Sequence, residues 1–295
     1  MITLERARAT AEPAGVRELE LTAARARRHV LRMLKAHPAG HVGGALSAMD
    51  LVIAIYRHAL RWDPADVGAA ARDRFLLSAG HKALAQYAAL AEVGIIDEGV
   101  LDTYGQTDSR LPGHPDLSVL PGIEANTGAL GHGLPIGCGM ALGARLDAQP
   151  CRVFVLLGDG ELAEGSNWEA AAAAAHHRLD NLVALVDVNG LQISGPTAQV
   201  LNMKSIADKF DAFGWATTEV DGHDLAAICH ALDRVPLQPG RPTAIIARTV
   251  KGKGIAAIEG AVGSHYWKPD PDALAAAISE ADEAVRRAQR EVSAS

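Results

Sequence analysis

The stretch that most constrains the fold runs from Arg152 to Thr197, where two apolar runs flank an alanine-rich segment. The runs VFVLL and LVALVDV have the length of strands, and the segment between them has the composition of a helix. This order is typical of a right-handed βαβ unit whose strands lie buried in a parallel sheet. The stretch therefore predicts an α/β fold, a parallel sheet with helices on both faces.

Each of the two predicted strands is followed by a polar residue with an oxygen donor. Asp159 lies in the GDG turn after the first strand, and Asn189 follows the second. Because open α/β sheets bind ligands at the carboxyl edge, we expect both side chains to meet there. With the backbone carbonyl of Leu191 they would form half of an octahedral oxygen shell for Mg²⁺, or for Ca²⁺ or Mn²⁺ in its place. The backbone N–H groups of Gly160 and Glu161 could hold a phosphate oxygen. The alternative interpretation is that the GDG segment is only a tight turn.

The remaining elements predict one large domain without a repeat or an internal linker. Residues 1–15 are interpreted as a flexible N-terminal arm before the domain, which spans residues 16–295. Ser47 is expected to cap a second helix through Leu60, with Met49, Ile53 and Tyr56 on one face. The segment from Gly105 to Gly131 is predicted to be a long loop, which is either functional or disordered. The other predicted elements are helices at 16–36, 79–94, 134–147, 204–213, 224–234 and 273–291, and strands RFLLS, ATTEVDG and TAIIARTV.

Charge and cysteine content exclude several classes of protein. The formal net charge of −7, with no dense basic run beyond RARRHVLRMLK, argues against nucleic acid or an acidic membrane surface as partner. The three cysteines form no CxxC pair, which indicates neither a disulfide framework nor a thiolate zinc site. The N-terminus lacks the apolar core of a signal peptide, and no apolar run reaches the length of a membrane span. We expect a cytoplasmic protein.

Several motifs together resemble the transketolase family. GDGELAEGSNWEA followed by DNLVALVDVNGLQISG resembles the thiamine-diphosphate motif of transketolases. RFLLSAGH, SRLPGHP, LPGIEANTGALGHGL, KFDAFGWATTEVDGHD and PTAIIARTVKGKG resemble further transketolase segments, in the family's order. The resemblance covers Thr22 to Lys268 and implies the thiamine-diphosphate-binding fold, with this chain as its diphosphate-binding domain.

The resemblance also implies a role for individual residues. Asp159, Asn189 and the Leu191 carbonyl would hold Mg²⁺, Gly160 would contact the diphosphate, and Lys251 would add positive charge beside it. The backbone of Gly128, Ala129 and Leu130 would face the aminopyrimidine ring of thiamine diphosphate. His41, His81, His114 and His265 match histidines that line the family's channel and contact cofactor or sugar hydroxyls. Glu164 matches a glutamate that relays to the activating carboxylate of the partner; its alternative role is that of an acidic residue at a helix N-terminus.

The chain departs from the family pattern at three places. His132 stands where the family usually has glutamine, Val42 replaces the proline after His41, and SHYWKP replaces the usual WHGK. These changes bear on which sugar is accepted, and the last one makes His265 the least secure of the four histidines.

The extent of the resemblance predicts a two-component enzyme. After the diphosphate-binding domain the chain has no room for a pyrimidine-binding domain with its glutamate and sugar-phosphate arginines. We therefore expect the N-terminal subunit of a split transketolase, joined to a C-terminal subunit in an α2β2 assembly. The expected reaction transfers a two-carbon ketol unit from a ketose donor, expected to be phosphorylated, to an aldose acceptor.

Three alternatives remain open from the sequence. One is a subunit of another thiamine-diphosphate enzyme, such as a ketoacid dehydrogenase or a synthase, although the histidine set and LPGHP speak against it. A nicotinamide oxidoreductase is the second, because GHGLPIG imitates a dinucleotide loop, but no buried strand precedes it. The third is a non-catalytic regulator that retains the fold.

Overall fold

A parallel sheet forms the centre of the computed structural model, which describes residues 15–294. Within these residues the sheet has five strands in the order β1-β2-β3-β7-β6, all paired in parallel. A short antiparallel pair, β4 and β5, lies apart from it. The strands are β1 Arg74–Leu77, β2 Val153–Gly158, β3 Leu182–Val188, β4 Leu191–Gln192, β5 Gly195–Pro196, β6 Ala216–Asp221 and β7 Thr243–Arg248. The predicted arm lies outside the described residues apart from Gly15, and the predicted domain boundary stays a prediction.

The helices cover both faces of the sheet, which confirms the predicted fold class. Their bounds are α1 Val16–Ala36, α2 Val42–Ala54, α3 Ala83–Glu92, α4 Gly133–Leu146, α5 Gly165–His176, α6 Thr197–Val200, α7 Ile206–Ala212, α8 Leu225–Asp233 and α9 Pro271–Ser293. Successive strand residues point to opposite faces. Phe154 and Leu156 pack in one core with α1, α2, α3, α8 and α9. Val153 and Val155 pack in a second core with α4, α5 and α7.

The second helix differs from its prediction. It begins at Val42, so Ser47 lies inside it and does not cap it. Every residue of α2 is buried, because the helix lies between the sheet and other helices and has no solvent-facing side. Ser47 Oγ donates to the Gly44 carbonyl at 3.0 Å and to the Asp187 carboxylate at 2.6 Å. Ser47, at 0% exposure, thus makes a buried polar contact to the sheet. Sequence periodicity does not reveal a contact of this kind.

The long loop between α3 and α4 is irregular as predicted, with neither helix nor strand between residues 105 and 131. It is anchored by Leu111, Leu120 and Ile123, which are buried in the first core. This anchoring carries His114 and Gly128 to the carboxyl edge of the sheet. Across residues 15–294, none of the helices combines the length and hydrophobicity that a membrane crossing requires.

Candidate cofactor-binding site

A cavity of about 390 Å³ opens at the carboxyl edge of the sheet, where β2 and β3 end. The sequence-predicted residues converge on it from several separate segments of the chain. Those that line it are His41, His81, His114, Gly128, Leu130, Asp159, Gly160, Glu161, Glu164, Asn189, Leu191, Lys251 and His265. Among the predicted residues Ala129 does not line it; it is exposed beside Gly128.

Asp159 and Asn189 lie next to each other at this edge because Gly158 of β2 pairs with Asp187 of β3. Asp159 accepts hydrogen bonds from the backbone N–H groups of Gly160 at 2.9 Å and Gly190 at 2.7 Å. Each carboxylate oxygen keeps a further lone pair for another donor or a cation. Burial, with the nearby Asp187 carboxylate, raises the pKa of Asp159 to about 6. A cation at this position would offset the cost of burying the charged form.

Lys251 already brings a cationic group to the predicted metal ligands. Its Nζ donates to the Leu191 carbonyl at 2.9 Å and lies 3.1 Å from Nδ1 of His265. Burial, together with the charge of Lys82, lowers the pKa of Lys251 to about 8. The Leu191 carbonyl oxygen, which was predicted to bind a metal, therefore already contacts a cationic group.

The donor set fits a hard divalent cation. One carboxylate, one carboxamide and one backbone carbonyl at the rim of a cavity are oxygen ligands of the kind that Mg²⁺ prefers. Residues 15–294 contain no group of three or more His, Cys, Asp and Glu side chains suited to a metal ion. The predicted set, with a single carboxylate, is not such a group.

The four predicted histidines form one cluster around His41. The centroid of its ring lies 5.5 Å from that of His81, 6.0 Å from that of His114 and 5.2 Å from that of His265. The rings of His81 and His265 stack at 5.5 Å. Tyr266 packs edge-on against His41 at 5.1 Å. The histidine from the divergent SHYWKP segment therefore joins the other three.

Three imidazoles of this cluster, those of His41, His81 and His265, are held neutral. Burial, followed by the charge of Lys82, lowers the pKa of His81 to about 2. Burial and Lys251 lower the pKa of His265 to about 4, and burial also lowers that of His41. A neutral imidazole carries one N–H donor and one acceptor nitrogen, so it can exchange protons with hydroxyl groups.

Two glycines permit close packing of backbone segments at the other end of the cavity. Gly128 has φ +130°, and a Cβ there would lie 2.7 Å from the His114 ring. A Cβ on Gly80 would lie 2.6 Å from the Gly128 nitrogen. Glycine at both positions permits the loop to approach the turn before α3 closely. Glu164 lies nearby, exposed, at the residue before α5.

Glu161 has a structural role that sequence reasoning missed. Its side chain is buried and accepts hydrogen bonds from the Gly131 N–H at 3.1 Å, the Gly158 N–H at 3.0 Å and the Ser78 hydroxyl. Burial raises the pKa of this carboxyl group. The carboxylate thus ties the long loop and β1 to the GDG turn, whereas only its backbone N–H was predicted to matter. An acidic residue directly inside a glycine turn is the signal that could have shown this.

A buried ion pair beneath the cavity was also missed. Lys82 Nζ lies 2.6 Å from Asp187, and both side chains are almost fully buried. Asp187 is a charged residue inside the apolar run LVALVDV, which is the signal in the sequence. Its partner could not be identified from the sequence, because Lys82 follows a different strand.

The remaining departures from the family pattern lie around the cavity. Val42 is the buried first residue of α2. His132 is exposed and precedes α4, with Nδ1 at 3.0 Å from the Leu130 carbonyl. Trp267 pairs with Gly40 in an isolated antiparallel bridge, which fixes the SHYWKP segment beside His41.

Comparison with known proteins assigns the family. Residues 20–277 match the family described as transketolase, thiamine diphosphate binding domain. The chain belongs to the transketolase family. The predicted family, fold and thiamine-diphosphate-binding domain are thereby confirmed.

Related sequences include proteins that are named as transketolase subunits. The chain is 40% identical over 276 residues to an apulose-4-phosphate transketolase subunit of Phocaeicola vulgatus, covering 94% of this chain and 98% of the relative. It is 39% identical to 6-deoxy-6-sulfo-D-fructose transketolase subunit SqwG of a Clostridium species, covering 82% of this chain and 88% of the relative. These names fit the prediction of an N-terminal transketolase subunit.

Solved transketolases share the fold over part of their length. A transketolase from Campylobacter jejuni superposes with a TM-score of 0.82 at 28% identity, over 93% of this chain and 46% of the other. A Pichia stipitis transketolase in complex with xylulose 5-phosphate gives the same TM-score and covers 45% of that chain. The chain therefore spans about half the length of these solved enzymes.

The glycines that imitate a dinucleotide loop serve packing in this fold. Irregular chain, and no strand, precedes α4. A Cβ on Gly133 would lie 2.3 Å from the Ser78 Cβ, and one on Gly137 would lie 2.5 Å from Val155. This geometry is that of a helix packed closely on a sheet, and it does not support the nicotinamide alternative.

Proposed function

We propose that this chain is the N-terminal subunit of a two-component transketolase that requires thiamine diphosphate and Mg²⁺. The assembled enzyme transfers a two-carbon ketol unit from a ketose to an aldose. The observation that carries the proposal is the single cavity at which the Asp159, Asn189 and Leu191 oxygens meet four clustered histidines.

The cofactor is held by its diphosphate end. Asp159, Asn189 and the Leu191 carbonyl hold Mg²⁺, with Ca²⁺ or Mn²⁺ as substitutes. The Glu161 backbone N–H, His81 and Lys251 would face the diphosphate beside Gly160, whose own N–H donates to Asp159. The backbone of Gly128, Ala129 and Leu130 faces the aminopyrimidine ring. When bound, thiamine diphosphate supplies the carbanion chemistry.

The clustered histidines accept a proton from the ketose and return one to the aldose. An imidazole nitrogen of His41 or His114 accepts the proton of the ketose hydroxyl beside the carbon–carbon bond that breaks. His81 and His265, with pKa values of about 2 and about 4, hold the sugar or the cofactor by hydrogen bonds. The same cluster returns a proton to the carbonyl oxygen of the aldose when the new bond forms. Lys251 Nζ donates to Nδ1 of His265 at 3.1 Å, so the other ring nitrogen carries the N–H and can donate to a hydroxyl group.

A second polypeptide completes the site. The Phocaeicola vulgatus and Clostridium relatives are themselves named as transketolase subunits, and this chain covers 98% and 88% of their lengths, which supports a separately encoded partner. We propose a C-terminal, pyrimidine-binding subunit in an α2β2 assembly, with Glu164 relaying to its activating carboxylate. Ile193 lines the cavity and is 69% exposed, so an apolar rim is available for that partner.

The substrate is an anionic sugar. The names of the two relatives above specify a sugar phosphate and a sulfo-sugar, and the Lys251 ammonium group lines this cavity.

The proposed compartment is a reducing cytoplasm. It suits the buried cysteines Cys138, Cys151 and Cys229, which are unpaired within the described residues.

The test combines the purified chain with its C-terminal subunit, thiamine diphosphate and Mg²⁺, and assays aldehyde release from phosphorylated and unphosphorylated ketoses. We expect cleavage of an anionic ketose by the mixture and none by either polypeptide on its own. If the mixture binds thiamine diphosphate and Mg²⁺ but cleaves no ketose, the proposal is wrong.

A further inference from the structure

A hydrogen-bonded network lies directly beneath the proposed metal ligands and is centred on Asp187. This residue is at 0% exposure in β3, two positions before Asn189. One carboxylate oxygen accepts from Lys82 Nζ at 2.6 Å and from Ser47 Oγ at 2.6 Å. The other accepts from the Thr249 hydroxyl. The network therefore joins α2, β3 and the turns after β1 and β7.

The network also contacts the carboxamide of Asn189. Its nitrogen donates to Asp187 Oδ2 and to Ser47 Oγ, each at 3.3 Å. Its oxygen accepts from the Leu191 N–H at 3.1 Å. An ionised carboxylate can only accept hydrogen bonds, so the nitrogen of the amide must face Asp187. A flipped amide would place its oxygen against the carboxylate and its nitrogen against the Leu191 N–H.

We propose that Asp187, neutralised by Lys82, is a positioning residue that holds the Asn189 carboxamide with its oxygen presented to the metal. This inference rests on the proposed metal site. Groups that orient metal ligands typically change metal affinity by roughly 10- to 100-fold when they are altered. The same arrangement fixes Leu191, whose N–H holds the amide oxygen and whose carbonyl is the third proposed ligand.

The ion pair between Lys82 and Asp187 also affects which carboxylates are available to the proposed metal. Asp187 lies beside Asp159 at the edge of the sheet, because the Asp159 N–H donates to the Asp187 carbonyl at 3.1 Å. The Asp187 carboxylate is paired with Lys82 and is therefore not a ligand for the proposed metal. Asp159 remains the single carboxylate of the proposed ligand set, and it lines the cavity. A metal held by one carboxylate retains positive charge for a diphosphate.

The test uses the double variant Lys82→Met/Asp187→Asn in the full chain. Replacing both partners leaves no unpaired buried charge, so the variant is expected to fold. Asn at 187 offers either an oxygen or a nitrogen and no longer dictates the orientation of Asn189. We expect the Mg²⁺ affinity, titrated calorimetrically at saturating thiamine diphosphate, to fall roughly 10- to 100-fold. Thiamine diphosphate affinity at saturating Mg²⁺ is expected to fall by less than the Mg²⁺ affinity, because the variant removes Lys82 from the cavity lining but leaves Lys251 and His81 in place.

Two further variants separate the possible outcomes. Thr249→Val removes one bond to Asp187 without touching Asn189, and it should bind Mg²⁺ like the parent chain. Asn189→Ala removes the ligand itself and should weaken Mg²⁺ at least as much as the double variant. If Asn189→Ala has no effect, both the metal assignment and this inference are wrong. If Asn189→Ala weakens Mg²⁺ binding but the double variant does not, or if Thr249→Val weakens it equally, only the positioning role is wrong.

Discussion

His223 Nδ1 lies 2.8 Å from the Asp50 carboxylate, and this contact joins the interior of the helical layer to the cofactor site. The Val250 N–H donates to the other ring nitrogen at 2.8 Å, so that nitrogen is unprotonated and Nδ1 donates to Asp50. Asp50 also accepts two hydrogen bonds from Arg27, whose Nε donates to the Lys253 carbonyl. One buried carboxylate therefore fixes both ends of the turn that carries Lys251.

Replacing His223 with alanine should loosen this turn. The Val250 N–H loses its acceptor, while Asp50 keeps Arg27 as its counter-ion. Loss of a hydrogen bond of this kind corresponds to about 1 kcal/mol, so we expect thiamine diphosphate affinity in saturating Mg²⁺ to fall by up to roughly fivefold. His58→Ala, which breaks a histidine–aspartate pair with Asp233 away from the cavity, is the matched control. Equal affinities for the two variants would show that the His223 link does not position Lys251.

Two glutamates three positions apart should respond differently to substitution. Glu161→Ala leaves the Gly131 and Gly158 N–H groups without their acceptor in a buried site, and we expect the free energy of unfolding to fall by about 2 to 4 kcal/mol. Glu164→Ala changes an exposed side chain and should alter it by less than about 0.5 kcal/mol. Urea denaturation of both variants measures this difference. Similar losses of unfolding free energy in the two variants would contradict the role of the Glu161 carboxylate in tying the long loop and β1 to the GDG turn.

The proposed relay predicts the opposite order for catalysis. In the mixture with the C-terminal subunit, Glu164→Ala should lower kcat for ketose cleavage while Mg²⁺ and thiamine diphosphate still bind, because the diphosphate contacts do not involve Glu164. A Glu164→Ala mixture with parental kcat would assign this residue to the helix terminus alone.

The histidine cluster predicts how stability depends on pH. His81 and His265 have pKa values of about 2 and about 4 in the folded chain, below the ordinary value of 6.5. Between these values and 6.5 the unfolded chain binds more protons than the folded chain, so stability falls as pH decreases through this window. Stability from these groups is present above pH 6.5 and is lost towards pH 4.

Substituting one member of the cluster tests this dependence. We expect the Tm of His265→Gln to decline less steeply than that of the parent between about pH 7 and pH 4, because one fewer imidazole must be kept neutral. His176→Gln, outside the cluster, should follow the parent profile. Identical profiles for parent and His265→Gln would show that His265 is not held neutral by folding.

The elements that the sequence predicts well are those with local signals. β2 and β3 are continuous apolar runs because both of their faces are buried. Asp159 and Asn189 could be placed together because parallel strands end at the same edge. The gathering of His41, His81, His114 and His265 could not be derived from spacing, and it was expected only from the family resemblance.

Contacts between distant segments were beyond sequence reasoning. Ser47 was interpreted as a helix cap because a serine before an apolar run favours that role, yet its partner is Asp187, on a strand far along the chain. The Glu161 carboxylate bonds the loop before α4, and no periodicity identifies such a partner. These residues act through tertiary contacts that appear only once the sheet has formed.

The most direct test of the account is a calorimetric titration of thiamine diphosphate into the parent chain and into Asp159→Ala, each with and without Mg²⁺. We predict Mg²⁺-dependent binding to the parent and none to Asp159→Ala. The variant leaves the Gly160 and Gly190 N–H groups without their acceptor, so we expect it to lose about 1 to 3 kcal/mol of stability, and circular dichroism checks that it remains folded. Retained Mg²⁺-dependent binding by a folded Asp159→Ala chain would contradict the assignment of this cavity as the metal and diphosphate site.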